Sequence, residues 1–80
     1  MNKIYYFSAD WCGPCKVLAP TMERSGLPYQ KVNVDSDQEL STKYGIRNVP
    51  TLVKVNSNGE ELDRLVGNQS LEQLKIWYNG

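Results

Sequence analysis

The chain has 80 residues, 40% of them hydrophobic, with nine Lys and Arg against nine Asp and Glu, a formal net charge of zero and no histidine. That length makes one small domain, residues 1–80, with enough apolar residues for a single core. Balanced charge without a long run of either sign speaks against nucleic acid or an anionic membrane as partner, since both require a basic patch. There is no long apolar segment and no signal-peptide pattern, and Met1-Asn2-Lys3-Ile4-Tyr5 runs straight into a strand. The chain therefore reads as soluble and cytoplasmic.

Residues 3–7 form the first strand, with Ile4, Tyr5, Tyr6 and Phe7 in a continuous apolar run that suits a strand covered on both faces. Ser8-Ala9-Asp10 is a loop. A helix follows over about 13–24, with Pro14 in its first turn, where a missing N–H costs nothing. Val17, Leu18 and Met22 give it an apolar face, and Pro20 predicts a kink rather than a stop. Gly26 and Pro28 end the segment. Residues 29–34 are the second strand. Ser36-Asp37-Gln38-Glu39 reads as a capping box, opening a short helix that buries Leu40 and Tyr44 and is capped by Gly45.

Ile46-Arg47-Asn48-Val49-Pro50 is a loop, because proline disfavours helix in the residue before it. Residues 51–55 are the third strand, Asn58-Gly59 supplies a hairpin turn, and residues 61–66 are the fourth strand. Leu62 and Leu65 break strict alternation, which predicts a bulge or twist near Arg64. Ser70-Leu71-Glu72-Gln73 is a second capping box, and the last helix shows Leu71, Leu74 and Tyr78 on one face, widened by Ile76 and Trp77. The order β-α-β-α-β-β-α is an α/β fold: a parallel pair from the first crossover and an antiparallel hairpin, making a four-stranded mixed sheet flanked by three helices.

The chemistry concentrates in Trp11-Cys12-Gly13-Pro14-Cys15-Lys16, which holds the only two cysteines. A bridge across two residues is a poor staple, worth about 2 kcal/mol at most by loop entropy. Structural zinc needs four ligands, and no further cysteine or histidine exists to complete a site. What remains is a redox pair. Cys12 just precedes a helix, whose unpaired N–H groups and positive dipole end lower a thiol pKa, so Cys12 is the nucleophile. Cys15, a turn deeper and less exposed, is the resolving thiol that displaces the product from a mixed disulfide. Tyr6 reads as core, Asp10 and Lys16 as solvated charges.

The hexapeptide is identical to the thioredoxin active-site motif. The resemblance continues through Lys31-x-Asn33-x-Asp35, Tyr44-Gly45-Ile46-Arg47-x-x-Pro50-Thr51-Leu52, Asn58-Gly59-Glu60 and Val66-Gly67, covering nearly all of the chain. It implies the thioredoxin-like fold and a protein dithiol–disulfide oxidoreductase that reduces disulfides in target proteins. It also implies a cis bond before Pro50, and a docking groove bordered by Trp11, Gly13, Pro14, Val49, Pro50 and Gly67. No cofactor beyond the Cys12–Cys15 pair is implied, and no metal. The expected electron donor is a thioredoxin reductase or a dedicated reductase, with ribonucleotide reductase among the expected targets and the chain acting as a monomer.

Three departures stand out. The sequence starts at what would be the family's central strand, so the sheet is expected to be one strand smaller. Tyr6 occupies the position of a buried aspartate that serves the resolving thiol, and Ser8 that of a tryptophan. Solvent or Lys31 is expected to replace the acid. Two other readings compete: a glutaredoxin-like, glutathione-coupled reductase, and a binding module in which redox is incidental. Against the first, the motif dipeptide is Gly13-Pro14 rather than Pro-Tyr, and Asn68-Gln69-Ser70 lacks the second glycine and acid that hold glutathione.

Overall fold

Every residue of the third strand, Thr51–Val55, is buried, and so are four of the six in the first, Lys3–Ser8. Strands covered this way must lie centrally with both faces packed, and in the computed structural model, which describes residues 1–80, they do. The strands are β1 (Lys3–Ser8), β2 (Tyr29–Asn33), β3 (Thr51–Val55) and β4 (Glu61–Val66), in the order β2-β1-β3-β4. The helices are α1 (Gly13–Ser25), α2 (Gln38–Lys43) and α3 (Leu71–Asn79). β1 pairs parallel with β2 and antiparallel with β3, which pairs antiparallel with β4. The expected α/β architecture is the one observed.

Alternation along β1 divides the core. Ile4 and Tyr6 face Leu18 and Met22 of α1, Leu52 of β3 and Leu74 of α3. Tyr5 and Phe7 face the other way, toward Val32, Val53, Val55 and Tyr44, with Leu40 of α2 at the margin. This second face is thinly roofed, for no residue of α2 is fully buried. Its aromatic rings compensate: Phe7 lies 6.2 Å from Tyr44 and 6.1 Å from Tyr5, centroid to centroid. Pairs at such spacing add to what area burial supplies.

Several local expectations shift. α1, as expected, does not stop at Pro20, and it ends at Gly26, whose φ of +68° fits glycine. Val17 and Ile76, assigned to apolar faces, are each 67% exposed. The cap of α2 is Asp37, whose Oδ1 accepts from the Leu40 N–H at 3.1 Å, and not Ser36. The reason is Asn33: its side-chain oxygen accepts from the Asp35 and Ser36 N–H groups, and its carbonyl from Ser36 and Asp37. That turn consumes Ser36 and moves the helix start one residue on. The Ser70–Gln73 capping box forms as expected, with both reciprocal bonds present.

The irregularity in β4 lies at Leu62, two residues before Arg64. Lys54 pairs with Asp63 and Val55 with Glu61, so Leu62 is the extra residue of a bulge. The bulge puts Glu61 and Arg64 on one face, although residues three apart in a regular strand point opposite ways. There Arg64 forks onto both Glu61 oxygens at 2.6 Å and reaches the Tyr44 carbonyl. The guanidinium holds the Glu61 carboxyl below its usual range. On the opposite face Lys54 is buried, and its ammonium donates to the Trp77 carbonyl at 3.0 Å, near the negative end of α3.

Candidate active site

Strand β1 delivers the chain to one end of the sheet, and the loop after it turns back at once, the Cys12 N–H donating to the Ala9 carbonyl at 3.1 Å. Cys12 then caps α1 with extended backbone, φ −89° and ψ 105°. Its Sγ accepts from the Cys15 N–H at 3.1 Å, the place a capping oxygen normally takes. No acidic residue stands in the first turn to offset the positive end of the dipole. Cys12 and Cys15 are joined by a disulfide with their Cα atoms 5.3 Å apart.

In this oxidised state the expected difference in exposure is absent, since both cysteines are 3% exposed. The bridge packs with Ala9 and is flanked by Val34 and Val49, a cluster that buries both sulfurs. Trp11 is 70% exposed, and its indole N–H donates to Asp35 Oδ2 at 2.9 Å. It borders a depression of about 250 Å³ together with Ile46, Arg47, Asn48 and Val49. The Val49–Pro50 bond is cis, and Pro50 is buried. The Pro50 carbonyl accepts from the Gly67 N–H at 2.9 Å, which brings the end of β4 to the same rim. Gly67 has a φ of +90°, which a side chain would strain. Gly13 and Pro14 are exposed at the helix start.

Lys31 lies elsewhere. It borders a second, larger groove of about 500 Å³ with Tyr6, Asp10, Cys15, Lys16 and Glu23, which shares no lining residue with the Trp11 depression. Lys31 is exposed, and its side chain makes no hydrogen bond or ion pair. At the floor of this groove sits Tyr6, 1% exposed, its hydroxyl donating to the Cys15 carbonyl at 2.6 Å. Burial, and secondarily the neighbouring Tyr29, raise the Tyr6 phenol above its ordinary range. Reading Tyr6 as core was right for the ring and missed the hydroxyl. Asp35 and the Arg47–Asn48 pair were also missed as site residues. The signals for Asp35 were its place in the Lys31-x-Asn33-x-Asp35 stretch and its position just past β2, level with the loop that carries Trp11.

No group of three or more His, Cys, Asp or Glu side chains is placed to hold a metal ion. The geometry therefore centres on a sulfur pair at a helix N-terminus, with an exposed indole on one side and a charged groove on the other.

The comparisons with known proteins agree with that chemistry. A family model described as Thioredoxin matches residues 2–79. The thioredoxin of Rickettsia bellii is 39% identical over 79 residues, an alignment covering 91% of this chain and 74% of that protein. The thioredoxin of Rickettsia conorii is 37% identical over the same shares. Among solved structures, a mutant thioredoxin from Halobacterium salinarum superposes with a TM-score of 0.88 at 38% identity, over 98% of this chain and 72% of that one. A thioredoxin from Fasciola hepatica gives 0.87 at 31% identity, over 98% and 78%.

Proposed function

The chain belongs to the thioredoxin family and is a dithiol–disulfide oxidoreductase, and from this we propose that Cys12 attacks target disulfides and Cys15 resolves the mixed disulfide. The observation that carries the assignment is the Cys12 sulfur in the N-cap position, held by the Cys15 N–H at 3.1 Å. A thiolate formed there receives the N–H bond and the helix dipole, both of which favour its charge. Resolution then returns the observed bridge. The two thiols serve as the only redox group, residues 1–80 act as one unit, and Trp11, Gly13, Pro14, Val49, Pro50 and Gly67 border the groove that takes the target chain. The depression beside Trp11 and the Pro50–Gly67 contact support that groove.

Thioredoxins as a family draw electrons from thioredoxin reductase and pass them to protein disulfides. For this chain we infer the same donor or a dedicated reductase, with ribonucleotide reductase among the targets, and a monomer working in the cytoplasm. No helix is long and apolar enough to cross a membrane. Equilibration of the Cys12–Cys15 couple against glutathione tests the assignment to reductant. A potential near about −270 mV is expected, whereas one above about −200 mV would place the chain with glutaredoxins or oxidants.

Lys31 is proposed to assist ionisation of Cys15 from across the groove, its cation favouring the thiolate. Lys31→Met is accordingly expected to slow the resolving step between about pH 6 and 9, the range around the ordinary thiol pKa. Stopped-flow measurement of that step decides the matter: an unchanged rate throughout leaves the proton to solvent alone.

A further inference from the structure

Only one side-chain hydrogen bond ties α1 to another strand or helix, that from the Tyr6 hydroxyl on β1 to the Cys15 carbonyl. The other attachments are apolar and undirected: the Cys15 side chain packs near Ala9, and further along Leu18 and Met22 pack on Ile4, Leu52 and Leu74. In the oxidised chain the disulfide itself holds Cys15 beside Cys12. In a mixed disulfide that bond is gone, yet Cys15 must still stand within reach of the Cys12 sulfur. From outside the helix its first turn is then held by packing near Ala9 and by Tyr6, and of these only the Tyr6 bond is directional.

We propose that Tyr6 is a positioning residue for the resolving step, its hydroxyl pinning the Cys15 backbone to β1 while Cys15 is free of Cys12. The proposal rests on the assignment of Cys12 as attacking and Cys15 as resolving thiol. In that step Cys15 has already lost its proton to water, and its thiolate attacks the Cys12 sulfur. The Cys12–Cys15 bond forms as the bond from Cys12 to the target breaks, and the electron pair leaves on the target sulfur, which takes a proton from water. Tyr6 gives and takes nothing.

The site suits that passive role. The Tyr6 ring is fixed in the core against Leu18 and Met22, so the hydroxyl has a single address. With its pKa raised by burial and by Tyr29, the phenol stays a neutral donor throughout the range in which thiols titrate. The charged groups facing the groove are Asp10 from the loop, Lys16 and Glu23 from α1 and Lys31 from β2. None of them hydrogen-bonds to Tyr6 or Cys15.

The test uses the reduced chain and an aromatic disulfide whose released thiolate is coloured. Attack by Cys12 gives a phase proportional to reagent concentration, and attack by Cys15 a second phase independent of it. Tyr6→Phe keeps the ring, and it is expected to slow the second phase about three- to tenfold, the equivalent of one hydrogen bond, and to leave the first within about twofold. The pH midpoint of the second phase is expected to stay where it is. Tyr29→Phe, altering the neighbouring ring at 6.3 Å, is expected to leave both phases unchanged. A second phase untouched by Tyr6→Phe, equal slowing of both phases, or equal slowing by Tyr29→Phe overturns the proposal. So does a moved midpoint, which would make Tyr6 a proton-exchanging group. A parent chain with no concentration-independent phase would instead overturn the cysteine assignment on which the proposal rests.

Discussion

Cys12→Ser is expected to bring disulfide reduction down to the uncatalysed background, because a serine hydroxyl is not ionised near neutral pH and cannot open the target bond. Cys15→Ser should behave differently. The Cys12 thiol still attacks, the mixed disulfide forms, and no thiol remains to release it, so target and chain accumulate as a covalent one-to-one adduct that mass spectrometry will detect. The two variants together test the roles, since both cysteines are equally covered in the oxidised form and exposure does not choose between them. What chooses is the helix: Cys12 is the cap and Cys15 lies inside the first turn. An adduct trapped in Cys12→Ser and absent in Cys15→Ser would reverse the assignment.

Phe7→Ala is expected to be the most damaging core substitution on the thinly roofed face. Phe7 is fully buried against Val32, Val53, Val55 and Tyr44, and removing its ring costs about 3–5 kcal/mol through lost transfer energy and an unfilled cavity. Its neighbours cannot close the gap easily, because the Tyr44 ring is anchored by a bond from its hydroxyl to the Gly59 carbonyl. A domain of this size has about 4–12 kcal/mol in total, so the melting temperature should fall by on the order of 20 °C. Thermal melts followed by circular dichroism check this. A fall of only a few degrees would mean that the sheet is held chiefly by its α1–α3 face.

The strands and helices were legible because their signals are local. An apolar run marked β1, Gly26 and Gly45 marked stops, and Ser70 with Gln73 announced a cap that formed. The cysteine pair declared its own chemistry by spacing. What escaped depends on contacts distant in sequence or on competition between adjacent groups. Ser36 and Asp37 are both good caps, and only the turn made by Asn33 decides between them. Tyr6 looks like any core aromatic until the fold brings its hydroxyl to a carbonyl nine residues away. Asp35 meets Trp11 only because β2 runs parallel to β1, ending beside the same loop. The cis bond before Pro50 came from the family resemblance, since isolated X–Pro sequences favour trans.

The Leu62 bulge bears on solubility. β4 is the last strand of the sheet, and a straight edge strand offers its unpaired N–H and C=O groups as a template on which another chain can build. Here the extra residue breaks the spacing of those groups near the start of the strand, and Glu61, Asp63 and Arg64 crowd the same stretch with charge. An incoming strand could match the register on one side of Leu62 but not on both. The irregularity that lets Arg64 grip Glu61 and Tyr44 thus also protects this edge against the edge-to-edge stacking that leads to aggregates.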